Sequence, residues 1–233
     1  MSLNSDFLET LRESFEKCLD TSPRSNEKLK ILHSKIAKDL SSLLGKDYIV
    51  DALNFGSGRE QTIKGRYLDK KVDICVSKKK KVVAGIAVKF VMSNYSQNSN
   101  NYFENMLGET ANIRTADILY FQMFIIPRFL PYFDNSGVIQ KIEELTKHNV
   151  DKYIKLSNDD TGMYFHAPNK TLFVLLDSDT LPKEGQDKKK YKEKCKKSKF
   201  SYSLVFKNSF KSQVVYNDYE SFIKKVFHAI SAV

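Results

Sequence analysis

Two strand-like runs each carry one charged residue among apolar and β-branched neighbours. They are Val72-Asp73-Ile74-Cys75-Val76 and Ile86-Ala87-Val88-Lys89-Phe90. Burying a carboxylate or an ammonium is costly unless the group is paired or holds a metal. Neighbouring antiparallel strands would bring Asp73 and Lys89 together. A carboxylate is a ligand for a hard cation, which polarises a phosphate and lowers the pKa of an attacking water. A lysine beside it can orient that water or meet developing negative charge. These are the parts that phosphodiester hydrolysis needs. The plainer readings are a strand-edge aspartate paired with a surface lysine, and a lysine snorkelling from a strand end.

The elements that must position this pair follow from periodicity. Residues 61–91 read as a three-stranded meander: a strand over 61–67, a polar turn over 68–71, a strand over 72–76, a turn over 78–81 and a strand over 82–91. The last run is nearly continuous in β-formers, as suits a strand covered on both faces. Residues 5–20 predict a helix, with Phe7, Leu8, Leu11, Phe15 and Leu19 at helical spacing and Ser5 as N-cap. Residues 25–44 predict a second, with Leu29, Leu32, Ile36, Leu40 and Leu43 along one stripe. Asn54-Phe55-Gly56-Ser57-Gly58 is a turn signal.

Beyond the meander, 94–101 is polar and loop-like. Residues 102–116 return to helical period, with Phe103, Met106, Leu107, Thr110 and Ile113 on one side. Residues 118–126 are expected to form a central strand, 138–145 and 150–156 short helices, and 171–176 a strand. Residues 216–231 close the chain as a helix with Tyr219, Phe222, Val226 and Ile230 inward. Residues 187–199 hold eight lysines in thirteen positions, an exposed helix or an arm. The order fits one α/β domain over 1–233, a mixed central sheet flanked by helices.

Composition bounds the function classes. The chain has 233 residues, 41% hydrophobic and 28% charged, which suits a single folded domain. No apolar run approaches the roughly 20 residues that span a bilayer. Residues 1–6 lack the basic-then-apolar pattern of a signal peptide. Cys18, Cys75 and Cys195 are odd in number and widely spaced, against a disulfide framework. His33, His148, His166 and His228 lie apart from one another and from the cysteines, against a soft-metal site. A reducing cytoplasm is the expected compartment. The net charge of +10 favours polyanionic partners.

The meander, with an aspartate on its second strand and a lysine near the end of its third, resembles the PD-(D/E)xK nuclease core. The stretch from Lys89-Phe90-Val91 through Ser93-Asn94-Tyr95-Ser96-Gln97-Asn98, on to Asn101-Tyr102-Phe103-Glu104-Asn105 and Gly108-Glu109-Thr110-Ala111-Asn112-Ile113-Arg114, is similar to bacterial type II restriction endonucleases. So are Tyr153-Ile154-Lys155-Leu156-Ser157 and Tyr164-Phe165-His166-Ala167-Pro168. The resemblance covers roughly residues 25–180, leaving the lysine-rich segment and the final helix peripheral. It implies a restriction-endonuclease-like fold, Mg²⁺ as cofactor, and hydrolysis of double-stranded DNA at a specific site. A palindromic site implies a homodimer.

Two positions depart from the family pattern. Val72 stands where proline precedes the aspartate, and Ala87 stands two before Lys89, where an acid is expected. Some restriction enzymes of this class take that glutamate from the following helix. Glu104, 15 residues after Lys89, and Glu109, 20 after, are the candidates, on opposite flanks of the apolar stripe; Glu60 is a third. Asp73, Lys89, Glu104 and Glu109 thus form the expected catalytic set, with Asp73 and the glutamates as metal ligands. Gln97 and Asn98 would contact DNA or cap the helix, and Arg114 would hold a phosphate or another helix. Tyr95 and Tyr102 would stack on bases or pack inward, and His166 reads as a hydrogen-bonded strand residue. With the acid lost at Ala87, an inactive DNA-binding module on the same fold is the alternative.

Overall fold

A computed structural model describes residues 2–21 and 25–233. Two helices come first, α1 (Leu3–Asp20) and α2 (Glu27–Leu44). α1 starts before Ser5, because the Ser2 hydroxyl takes the Ser5 N–H at 3.3 Å and serves as the cap. The apolar stripe of α2 is turned from the expected one. Leu32, His33, Ile36, Ala37, Leu40 and Leu44 are buried, while Leu43 is exposed.

Next come β1 (Tyr48–Ala52), β2 (Gln61–Lys64), β3 (Asp69–Val72), β4 (Ile74–Lys78) and β5 (Lys81–Phe90), then α3 (Tyr95–Arg114) and β6 (Leu119–Pro127). A hairpin of β7 (Phe129–Phe133) and β8 (Ile139–Glu144) follows, then α4 (Lys147–Leu156) and β9 (Lys170–Ser178). The chain ends with α5 (Lys188–Cys195), β10 (Phe200–Tyr202), β11 (Val214–Tyr216) and α6 (Tyr219–Ser231).

The main sheet runs β1-β4-β5-β6-β9-β10, with β11 on β9. β1, β4 and β5 pair antiparallel, while β5, β6 and β9 pair parallel. A parallel neighbour needs a crossover, so α3 must cross the sheet between β5 and β6. Residues alternate between two cores. Met123 and Ile125 face α1, α2 and α6, whereas Phe124 and Ile126 face α3 and α4. The molecule is thus a mixed α/β fold, a mixed sheet flanked by helices. Among the described residues no helix is long and apolar enough to cross a membrane.

Three expectations are corrected. The meander is β1-β4-β5, and the run expected as one strand over 72–76 is broken at Asp73. Val72 ends β3, paired with Gln61, and Ile74 begins β4, paired with Ala52 and Ile86. Residues 138–145 are not a helix. Their spacing suits one, but pairing with β7 prevails, and Asp134 Oδ1 closes the turn by accepting N–H bonds from Ser136 and Val138, each 2.9 Å. Residues 95–101 are the first turns of α3, not a loop.

The β2–β3 hairpin stands off the main sheet, with Ile63 and Val72 packed on Cys75, Ile113 and Tyr120. Gly85 makes room, since a Cβ there would lie 2.8 Å from Ile63 Cδ1 and 3.1 Å from the Tyr120 ring. The hairpin tip is held by Asn112 of α3. Its Oδ1 accepts from the N–H of Tyr67 at 2.9 Å and of Leu68 at 3.3 Å, and its Nδ2 donates to Leu68 O at 2.8 Å. We expect Asn112→Ala to lose roughly 1–3 kcal/mol in chemical denaturation, with faster hydrogen exchange at the Tyr67 and Leu68 amides. Unchanged exchange there would show that the tip is held by something else.

Candidate catalytic cleft

β4 begins opposite Ile86, so Val88 of β5 lies beyond the ladder. The Asp73 carboxylate fills that gap. Its Oδ2 accepts the Val88 N–H at 2.7 Å, the one hydrogen bond that Asp73 makes among the described residues. The break between β3 and β4 therefore turns the aspartate back toward β5 instead of leaving it in register.

Asp73 and Lys89 line one cleft of about 230 Å³, together with Lys70, Tyr102, Glu109 and Gln122. Tyr102, Asn105, Met106 and Glu109 are one face of α3, at helical spacing, and all four line the cleft. Glu109 pairs with Lys70, and the Tyr120 hydroxyl lies 3.4 Å from Glu109 Oε2. Lys89 is an exposed residue whose ammonium nonetheless sits 4.1 Å from the Tyr102 ring centroid. Gln122, nearly buried beside Ala87 on the next strand, has an amide nitrogen without a partner among the described residues.

On its other side Asp73 meets His33 and Glu60. Donor atoms of the three lie within 4.8 Å of one another, and His33 Nε2 is 3.9 Å from Asp73 Oδ1. His33 is fully buried on the apolar face of α2, and neither ring nitrogen has a hydrogen-bond partner among the described residues. Sequence reasoning passed over it. The available signal was its place on the stripe, four residues after Leu29 and three before Ile36.

Electrostatics follow from burial. Desolvation raises the Asp73 pKa to about 6; the Val88 N–H opposes this, Glu109 adds to it, and Lys70 and Lys89 counter it. Desolvation lowers the Lys89 pKa, against the pull of Asp73 and Glu109. Burial drops His33 to about 4 despite Glu60, so its imidazole is neutral at pH 7. The buried Tyr120 phenol is pushed up by desolvation and by Glu109 and Asp73.

The other expected site residues lie elsewhere. Glu104 is exposed, and its charge acts on Lys152. It is five positions before Glu109, about 140° round the helix. Arg114 donates to the carbonyls of Thr161, Tyr164 and Ala167 at 2.6, 2.9 and 2.6 Å. Its guanidinium therefore fastens the 161–167 loop and is not offered to a phosphate. Gln97 bonds the Tyr132 hydroxyl, Asn98 is half-buried, and Asn94, not either of them, is the N-cap of α3. Tyr95 is buried against Phe124, and His166 Nε2 is 3.4 Å from Asp159 Oδ2. The lysine run is the short helix α5, seated through Tyr191 and Cys195 and tied to α1 by Lys196–Asp20 at 2.7 Å.

No protein-family model, curated protein or solved structure matches this chain. The cleft is therefore read from its own chemistry. Asp73 holds its proton to higher pH when folded than when unfolded, so its own contribution to stability falls as pH rises from about 4 to about 6, in the window where the contribution of the buried neutral His33 rises. We expect Asp73→Asn to be more stable than the parent above pH 6, by on the order of 2 kcal/mol, and equal to it below pH 4. Thermal melts across that range check this, and a constant difference at all pH values would sink it.

Proposed function

We propose that this chain is a type II restriction endonuclease of the PD-(D/E)xK class, cutting double-stranded DNA with Mg²⁺. The observation that carries the reading is the convergence of Asp73, Lys89 and Glu109, from a strand break, a strand and a helix, on one cleft. In this reading Glu109 is the acid missing at Ala87, and the fold is the restriction-endonuclease type.

The donor set suits a hard cation. Asp73 is a carboxylate with a single hydrogen bond and an opposing carboxylate at Glu109, a destabilising pair that a divalent ion would neutralise. Asp73 and Glu109 would hold the ion, which when bound supplies polarisation of the phosphate and a more acidic water. Lys70 neutralises Glu109 until a cation does so. Lys89, whose ammonium Asp73, Glu109 and the Tyr102 ring favour against desolvation, would orient the water. The unpartnered amide of Gln122 would donate to a phosphate oxygen.

The exposed Arg59, Lys64, Arg66 and Lys71 lie on or before the hairpin that borders the cleft, a basic rim for the backbone of a duplex. Exposed Tyr67 and Leu68 at its tip would reach a groove. A homodimer would present two such clefts to a palindromic site.

Plasmid cleavage with Mg²⁺ tests this. The parent should give discrete products, and Asp73→Ala, Lys89→Ala and Glu109→Gln should each lower the rate by about a hundredfold or more. Glu104→Gln should cut like the parent. Salt-sensitive DNA binding without cleavage would favour the inactive module, and cleavage that survives Asp73→Ala would remove the proposal.

A further inference from the structure

The His33–Glu60–Asp73 cluster lies behind the cleft, shared with it only through Asp73. An imidazole buried completely, with both nitrogens unsatisfied, costs more than an apolar side chain of the same size would. Its neighbours on α2, Leu32, Ile36 and Ala37, are apolar, so packing gives no reason for the ring. What the ring does have is two carboxylates close by. Nε2 lies 3.9 Å from Asp73 Oδ1, beyond a hydrogen bond but close enough for one ion to lie between them.

We propose that His33, Glu60 and Asp73 form a binding site for a first-row transition-metal ion, of the Mn²⁺ or Zn²⁺ kind. One imidazole and two carboxylates are a mixed nitrogen and oxygen set, which such ions accept and which Mg²⁺ and Ca²⁺ do not favour. Ligands about 2.1 Å from an ion stand roughly 3.0–3.5 Å apart. The donors, now within 4.8 Å, close by about 1 Å on binding. His33 is fixed in the core, so the movement falls to the carboxylates. Glu60 precedes β2, and its neighbour Lys71, 3.8 Å away and two-thirds exposed, can withdraw into solvent. Three protein ligands leave further positions of the ion open to water.

This site has no place in the sequence pattern of the nuclease reading, and it stands or falls on metal binding, not on cleavage. Mn²⁺ binding to the full chain is measured by electron paramagnetic resonance and by calorimetry, without DNA. The parent should bind Mn²⁺ at least about tenfold more tightly than Mg²⁺. His33→Gln should weaken Mn²⁺ binding by about tenfold or more. Glu60→Gln, a change at a partly exposed position that leaves the core intact, should do the same. Glu104→Gln, at an exposed position outside both donor sets, should change it less than threefold. The proposal is overturned if the parent binds no Mn²⁺, or if Glu109→Gln abolishes binding while Glu60→Gln and His33→Gln leave it unchanged. Mn²⁺ binding through His33 and Glu60 in a protein that cuts no DNA would retire the nuclease reading and leave this site standing.

Discussion

A carboxylate placed where the chain changes sheets is the constraint that the rest of this structure answers to. Asp73 separates β3 from β4, and its side chain takes the N–H that the shortened ladder leaves on Val88. That bond offsets part of the desolvation cost, but not all of it, and the carboxyl stays raised to about 6. A group kept in that condition is poorly suited to holding a fold together. Strongly shifted groups of this kind cluster at functional sites.

Charged and titratable groups surround Asp73. Lys70 and Lys89 approach Asp73 from one side together with Glu109, and His33 and Glu60 approach from the other. Local cations soften the burial without quenching it, because Lys70 is engaged by Glu109 and Lys89 lies over Tyr102. The same aspartate is thus the junction of two donor sets with different chemistry, one of oxygens beside lysines and one that includes a neutral imidazole.

α3 links fold and cleft. As the crossover between parallel strands it must lie across the sheet, and its Tyr102, Glu109 and Asn112 then face the cleft and the hairpin. Asn112 sets the position of the hairpin tip, and the hairpin carries Lys70 to Glu109. Gly85 allows the hairpin to settle on the strand that bears Lys89. The acidic and basic members of the cleft are therefore held through one small set of contacts between a helix, a hairpin and a strand.

From the sequence alone came the two helices at the start, the central strands, the closing helix and the nearness of Asp73 and Lys89, which line one cleft. Each is written in local periodicity or in a charge set among β-formers, and neighbouring strands of a meander meet of necessity. The sequence also offered three glutamates as partners for Asp73, Glu60, Glu104 and Glu109, but could not choose among them. Period places Glu104 and Glu109 on different flanks of a helix, and only the crossover of that helix over β5 and β6 turned Glu109 inward and Glu104 to solvent. The break at Asp73, the strand over Ile139–Glu144, the capture of Arg114 by backbone carbonyls and the burial of His33 beside Glu60 were likewise decided by tertiary structure. Spacing tells which residues share a face; what a distant segment sets against that face depends on packing, which no local pattern encodes.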